Sequence, residues 1–250
     1  MRDWLDHLHA QHDELWSLLE PLDAAGWTRP TPCPGWDVGD VVLHLTQTDQ
    51  LGIASLRGDL SRDIEQFMRA GGASSVDDAA AASVEHARGT GGPQVGEAWR
   101  VGAAELRAGL AAADPRERVQ WVVGRLSVRT LAATRLAECW IHTGDVAVAL
   151  GIALAPTDRL RPIARLAWRT VPYAFERSGR ALHGPVAFAL TGPDGDAWEF
   201  GLDEEPVTVV RGPAADLCAV AARRKDPSQT ALVATGPDAA AVLELVRTYA

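Results

Sequence analysis

Apolar residues recur with the period of an α-helix over most of the first 150 residues. The pattern predicts four long amphipathic helices, over residues 3–20, 38–56, 95–113 and 128–150. Helix-breaking residues bound them, among them Pro21 and Gly26 after the first, Asp114-Pro115 after the third and Gly151 after the fourth. Helices that each bury one face pack most simply as a four-helix bundle, which is the fold predicted for residues 1–152.

The connections between these helices differ in character. Residues 28–36 hold three prolines and one glycine, which predicts a rigid, non-helical crossing. Asp37 then stands where an N-cap belongs, with Asp40 at the third helical position. The weaker pattern that follows predicts a short helix around residues 64–68 and an Ala-rich one over 76–87. Residues 121–126 read as a short apolar connection into the fourth helix.

After Gly151 the pattern changes from purely helical to mixed. A fifth helix is expected from Pro156 to about Arg177, and alternating apolar residues then predict three strands and two further helices. We therefore predict an α+β protein, in which the helical bundle is followed by an α+β domain over residues 153–250, a small antiparallel sheet plus helices.

Composition and charge narrow the function classes. The 250 residues carry a net charge of -9, which argues against binding nucleic acid, and no apolar run is long enough for a membrane span. The first residues enter an acidic amphipathic pattern, unlike a signal peptide. Three cysteines give no disulfide framework, so a cytoplasmic protein is expected.

The fourth helix carries the candidate chemistry. Arg135, Glu138, His142 and Asp145 follow one another at steps of three, four and three, which places all four on one side of a helix. A carboxylate and an imidazole four residues apart can bind one cation, and three ligands with an open position are typical of catalytic zinc. The competing interpretation is an ion-pair ladder, in which Arg135 satisfies Glu138 without metal.

A third ligand has to come from elsewhere, and His44 is the best placed. It lies at the edge of the apolar stripe of the second helix, opposite the end of the fourth helix in an antiparallel bundle. His12, on the apolar stripe of the first helix, is either a core histidine or a support for the site. The remaining histidines are predicted at the surface: His7, His9, His86 and His183.

Three segments resemble a known family. Residues 33–45, CPGWDVGDVVLHL, resemble the "CPGW-x-V-x-D-V-x-x-HL" segment of DinB-like proteins of the mycothiol-dependent maleylpyruvate isomerase family. Residues 138–146, ECWIHTGDV, resemble its metal segment "E-x-W-x-H-x-x-D-V". Residues 212–218, leading to Arg223 and Arg224, resemble its C-terminal module, which carries a functional arginine. The resemblance covers nearly the whole chain and is closest to an actinobacterial, metal-binding branch.

The resemblance implies a divalent metal, usually zinc, held by His44, Glu138 and His142, with Asp145 and Arg135 behind them. It implies a thiol-dependent isomerase or S-transferase that uses mycothiol as co-substrate on a small electrophilic metabolite. By the same match, Arg224 would bind a substrate carboxylate, with Arg223 as the fallback. The alternative is that both arginines have no role in binding and form a solvated, basic helix end. We expect a monomer or a small homo-oligomer.

Other interpretations stay open at this point. The metal could activate water or act as a Lewis acid without mycothiol, in a hydrolase, dehydratase or cyclase of secondary metabolism. The chain could also be a non-catalytic metal- or ligand-binding protein. Cys139 is predicted in the core, since it points about 100° away from Glu138 on a helix. Cys33 could approach the site from the Pro-rich crossing, and Trp36 could line a pocket there.

Overall fold

The computed structural model describes residues 3–60, 76–89, 91–122 and 124–248. It divides into two compact units, Met1–Leu154 and Ala155–Ala250. The short helix predicted around residues 64–68 lies outside the described residues. No helix in the described ranges has both the length and the apolar character that crossing a membrane requires.

The first unit is built on four long helices, as predicted. α1 (Asp3–Leu19) and α3 (Val38–Arg57) each pack against both α5 (Gly92–Ala112) and α6 (Val128–Leu150), so that the helices alternate around a common core. The core is apolar, with Leu15, Val41, Leu45 and Val146 at most 1% exposed. Burying each such side chain contributes about 1.5–3 kcal/mol. The helices of this unit are α1 (Asp3–Leu19), α2 (Ala24–Trp27), α3 (Val38–Arg57), α4 (Val76–Ala87), α5 (Gly92–Ala112) and α6 (Val128–Leu150).

The Pro-rich crossing is anchored directly at the start of α3. The side chain of Asp37 accepts a hydrogen bond from the Asp40 backbone N–H at 2.9 Å, and Asp40 Oδ2 accepts one from the Asp37 N–H at 3.1 Å. This reciprocal cap confirms the predicted helix start. The backbone of Thr31 donates to the Trp36 carbonyl at 3.0 Å, which closes the loop between them. Cys33 and Trp36 are thereby held at the start of α3.

The segment before α6 differs from its prediction as a plain connection. It forms an antiparallel hairpin of β1 (Arg118–Trp121) and β2 (Gly124–Ser127). Exposed and buried side chains alternate along β1 from Arg118 onward, which is before the apolar run of residues 121–126 begins. The side chain of Ser127 then caps α6 by accepting from the Thr130 N–H, and Gly151 ends the helix with a φ of 71°.

The second unit is α+β, which confirms the predicted class. Its sheet has the strand order β4 (Ala197–Phe200), β3 (Val186–Thr191), β5 (Thr208–Pro213) and β6 (Val233–Thr235), and helices accompany it. The elements are α7 (Leu160–Arg177), β3 (Val186–Thr191), β4 (Ala197–Phe200), β5 (Thr208–Pro213), α8 (Ala214–Ala221), β6 (Val233–Thr235) and α9 (Ala239–Leu245), with short 3-10 turns at Leu202–Glu204 and Pro227–Gln229.

The sheet expected to be antiparallel is mixed. β3 pairs with β4 antiparallel and with β5 parallel. Because β4 runs antiparallel to β3, β4 ends at the level where β3 begins. The next strand, β5, pairs with the free edge of β3. A strand that starts there runs in the same direction as β3. Alternation along the sequence identifies each strand, but it carries no information about which edge the next strand joins.

Candidate metal centre

Helix α6 places Glu138 and His142 one turn apart on its buried side. His142 Nε2 lies 3.5 Å from Glu138 Oε1. The His142 side chain is 8% exposed, so its surroundings are almost entirely protein. The pair has the spacing that the sequence indicated, and its two polar atoms face the same point.

Helix α3 brings His44 to that point. His44 Nε2 lies 2.9 Å from Glu138 Oε1, and the His44 and His142 ring centroids are 4.9 Å apart. The two helices run antiparallel here, because Asp49, further along α3, faces Arg135, earlier on α6. The predicted histidine on the second helix thus lies beside the pair on the fourth.

The donor atoms are spaced as one ion would require. One ligand atom each from His44, Glu138 and His142 lies within 4.8 Å of the other two. Ligands about 2.0–2.1 Å from a tetrahedral zinc are about 3.3–3.4 Å from one another. The nitrogen–oxygen distances of 2.9 and 3.5 Å lie on either side of that value. Two imidazoles and one carboxylate fit a catalytic zinc in both chemistry and spacing.

Asp145 lies behind His142. Its Oδ2 is 2.9 Å from His142 Nδ1, and its side chain is 2% exposed. When the ring is neutral, its proton lies on Nδ1 and is donated to this carboxylate, so that the lone pair of Nε2 faces Glu138 and the open side of the site. A carboxylate in this place orients a metal-binding histidine and makes its ring more basic.

Arg135 lies near Glu138 without a close hydrogen bond to it. Its Nη2 is 3.9 Å from Glu138 Oε2, and its Nη1 is 3.8 Å from Asp49 Oδ1. The guanidinium also lies over the Trp121 ring, 5.2 Å from the centroid. Glu138 Oε1 therefore remains directed at the two histidines, while the buried arginine supplies positive charge behind the other oxygen.

The carboxylates of the site attract positive charge. Burial raises the pKa of Glu138, but hydrogen bonds from His142 and His44 and the charge of Arg135 outweigh it, so the pKa is well below its usual value. Burial lowers the pKa of His44, which keeps that ring neutral. Burial opposes protonation of His142, but its hydrogen bonds with Asp145, Cys33 and Glu138 raise its pKa well above the usual value. Carboxylates on both sides of His142 thus stabilise positive charge there.

Asp49 is a buried neighbour that the sequence pattern did not single out. It is 4% exposed and faces Arg135. Burial raises its pKa to about 7, although the charge of Arg135 opposes this. Its position one turn beyond Leu45 was a possible signal, because a carboxylate on the inner face of a helix requires a cationic partner.

The Pro-rich crossing contributes two further side chains. Cys33 Sγ lies 3.2 Å from Asp145 Oδ2, with the thiol as donor. Trp36 packs against His44 with ring centroids 5.1 Å apart. Trp36 also lines a cavity of about 550 Å³, together with Asp40, Leu43 and Arg88 among others. The turn that the prolines impose therefore brings both side chains to the edge of the candidate centre.

Other predicted residues lie elsewhere. His12 is 2% exposed, accepts a hydrogen bond from Arg107 at 2.7 Å and packs edge-on to Trp99, which makes it a core histidine. Cys139 is 2% exposed and belongs to the apolar core. Three of the histidines predicted at the surface, His9, His86 and His183, are exposed, and His7 is half-buried.

Arg224 belongs to the second unit. The helix that precedes Arg223 ends at Ala221, and Arg223 takes a left-handed conformation with φ 59°. Arg224 therefore follows the helix end instead of forming its last turn. Its Nη1 donates to the Ala222 carbonyl at 3.1 Å. Its role in substrate binding stays a prediction.

Comparison with known proteins identifies the family. The sequence model of the family described as "Mycothiol maleylpyruvate isomerase N-terminal domain" matches residues 8–147, more than half of the chain and all three candidate ligands. The chain belongs to this DinB-like isomerase family. Two uncharacterized proteins of Mycobacterium tuberculosis, from two strains, are 33% identical over 247 residues, which is 97% of this chain and 93% of each relative.

Solved structures of the isomerase family share the fold. The mycothiol-dependent maleylpyruvate isomerase and a point mutant of it superpose with TM-scores of 0.62 and 0.60 at 14% identity. The match covers 94% of this chain and 92% of each of those chains. At this identity the likeness extends to the architecture, and the chemistry has to be argued from the residues of the site.

Proposed function

We propose that this chain is a divalent-metal-dependent enzyme of the mycothiol-dependent isomerase or thiol S-transferase type, acting on a small electrophilic metabolite. The observation that carries the proposal is the convergence of His44 Nε2, His142 Nε2 and Glu138 Oε1 in a member of this family. Zinc is the proposed ion, because two imidazoles and a carboxylate with an open position are a known catalytic zinc set.

Each protein group has a defined task in this proposal. A divalent ion at the centre would supply Lewis acidity, which lowers the pKa of a bound thiol so that the nucleophilic thiolate exists near neutral pH. Asp145 holds the proton of His142 at Nδ1, which keeps Nε2 available as a ligand. Glu138 stays ionised and offsets the positive charge. Arg135 limits how strongly this carboxylate attracts a proton.

The surroundings of the centre suit a small-molecule substrate. The cavity of about 550 Å³ is within the size range of small-ligand sites, and Trp36 belongs both to its lining and to the packing around His44. One wall carries charge, since Arg88 donates to both oxygens of Asp40 at 2.9 Å. The apolar Trp36 ring beside the charged Arg88 and Asp40 favours a ligand that has both an apolar and a polar surface.

Arg224 is proposed to bind a carboxylate of the substrate. A planar guanidinium pairs with a carboxylate through two parallel hydrogen bonds, which lysine cannot reproduce. Arg224→Gln should raise KM for a carboxylated electrophile and leave an uncharged analogue unaffected. Arg223→Gln is the matched control, because the Arg223 guanidinium donates to the Glu244 carbonyl within its own unit. Equal effects of both variants would remove Arg224 from the proposal.

Metal analysis is the first test. Wild-type protein supplemented with zinc and desalted should retain about one ion per chain, and His142→Ala should retain far less than that, since a three-ligand site does not survive the loss of one ligand. Circular dichroism checks that the variant is folded. If wild type holds no stoichiometric metal after supplementation, the proposal of a metal-dependent enzyme fails. A non-catalytic protein is then the remaining hypothesis.

Calorimetry with mycothiol tests the thiol. Zinc-loaded protein should bind mycothiol, and metal-free protein should bind it much more weakly, because the ion provides the thiol's binding partner. S-methylated mycothiol is the control ligand, since it retains the rest of the molecule but offers no thiolate. Absence of binding to the zinc-loaded form would exclude the thiol-dependent reaction and leave water-based metal chemistry.

A further inference from the structure

A second group of metal-binding side chains meets the other nitrogen of His142. Cys33 Sγ, His142 Nδ1 and Asp145 Oδ2 all lie within 4.8 Å of one another. Sγ is 3.2 Å from Oδ2 and 4.0 Å from Nδ1, and Nδ1 is 2.9 Å from Oδ2. Ligands of one tetrahedral zinc, with bonds of about 2.0–2.3 Å, are about 3.3–3.6 Å apart. Each atom would move by only roughly half an ångström to fit.

We propose that Cys33, His142 through Nδ1, and Asp145 form a second metal site, which shares His142 with the centre made with His44 and Glu138. The site would take a borderline-soft divalent cation such as Zn²⁺ or Co²⁺. Two of its three ligands, Cys33 and Asp145, are not ligands of the first centre. The inference therefore does not depend on the proposed enzymatic function.

The chemistry of the donor set selects this class of cation. A thiolate is a soft ligand and an imidazole suits zinc, cobalt and copper, whereas Mg²⁺ and Ca²⁺ prefer sites made of oxygen atoms. A thiolate and a carboxylate together balance the charge of a divalent ion. His142 and Asp145 are 6% and 2% exposed, and half-buried Cys33 forms the side open to solvent.

The loop holds the cysteine in place for this role. The Cys33 N–H donates to Thr31 Oγ1 at 3.2 Å, and the Cys33 carbonyl accepts from the Trp36 N–H at 3.0 Å. Gly35 takes a φ of 78°, which closes the turn in a conformation that other residues rarely adopt. A ligand on such a turn loses little conformational freedom when an ion binds.

Sharing one imidazole couples the two sites. The thiol proton of Cys33 and the Nδ1 proton of His142 both leave when an ion takes their place. If the first centre is occupied through Nε2, the ring then carries an ion on each nitrogen and no proton. An imidazole gives up its second proton reluctantly, so the second ion binds more weakly than the first. When the first centre is removed, His142 binds an ion only through Nδ1, and the second site no longer competes with an ion on Nε2.

Titration with Co²⁺ provides the test, because thiolate-bound cobalt has a charge-transfer absorption that nitrogen and oxygen ligands do not produce. In wild type, the first equivalent should bind without this absorption, and the band should grow with the second. In His44→Ala, the band should grow from the first equivalent. Cys33→Ser should lose the band, keep the first equivalent and bind further cobalt more than about tenfold more weakly.

Cys218→Ala is the matched control, since it removes a buried thiol in the second unit and should behave like wild type. A band that persists in Cys33→Ser, or is absent from both wild type and His44→Ala with cobalt in excess, overturns the second site. If wild type binds one equivalent without the band and His44→Ala also lacks the band, only the first centre is supported. A single Cys33-dependent equivalent in wild type supports the second site and counts against the first centre.

Discussion

Asp145 Oδ2 accepts from His142 Nδ1 at 2.9 Å, and this contact determines which nitrogen of His142 faces Glu138. The two residues are three positions apart on α6, so the helix itself fixes their distance. The carboxylate stabilises the tautomer in which Nε2 carries the lone pair. The candidate centre thus depends on a residue that donates no ligand atom to it.

Removing this carboxylate should weaken metal binding without unfolding the bundle. We expect Asp145→Ala to lower the affinity for the first zinc ion about 10–100-fold, as loss of a histidine's supporting partner does. Asp145→Asn should cost less, because its amide oxygen can still accept from Nδ1. Competition titration against a zinc chelator measures both affinities. Equal affinities of Asp145→Ala and wild type would show that Asp145 does not orient His142.

The buried arginine should be far more important for stability than a surface one. Arg135→Met leaves Asp49 and Glu138 without their buried cation and is expected to lower the free energy of unfolding by about 3–5 kcal/mol. The double variant Asp49→Asn/Arg135→Met should recover part of that loss. Arg100→Met, which breaks the exposed pair with Glu97, should have little effect by comparison, because solvent screens that pair. Urea denaturation of wild type and the three variants at pH 7 measures these losses, and a small effect of Arg135→Met would contradict the prediction.

His12 should make the protein sensitive to acid. Burial and the charge of Arg107 lower its pKa from 6.5 to about 3. Between these values the unfolded chain binds a proton that the folded chain does not, so stability falls as pH decreases through this window. The contribution is up to about 1.4 kcal/mol per pH unit. In His12→Gln, whose amide oxygen can accept from Arg107, the unfolding free energy should fall less steeply from pH 6.5 towards 4. Parallel curves for wild type and variant would contradict this origin.

Two glycines in α5 should respond to alanine with opposite signs. A Cβ on Gly96 would lie 2.7 Å from Cη2 of the buried Trp27 ring, whereas one on Gly102 would meet nothing within 4 Å. Gly96→Ala should therefore destabilise by about 1–3 kcal/mol through overpacking. Gly102→Ala should stabilise by about 0.5–1 kcal/mol, since alanine loses less backbone freedom in a helix. Thermal unfolding compares the two, and a stabilising Gly96→Ala would show that Trp27 is free to move.

Periodicity alone was enough to predict the four long helices, because each has to bury a continuous apolar stripe. The ends of α3 and α6 were also predictable from the Asp37 cap and Gly151, since helix ends require specific side chains or a left-handed residue. The spacing of Glu138, His142 and Asp145 on one helix follows from helical geometry. These are local properties, and the amino-acid sequence contains them directly.

Contacts between distant segments were decided only by the tertiary structure. The distance of 2.9 Å between His44 Nε2 and Glu138 Oε1 depends on the spacing and the axial offset of α3 and α6. No pattern within either helix specifies these two quantities. The contact of Cys33 with Asp145 depends on where the Pro-rich turn lies over α6. The parallel pairing of β5 with β3 is a choice of sheet edge. Each of these is a relation between segments far apart in the chain, and burial of the whole core, not local preference, selects it.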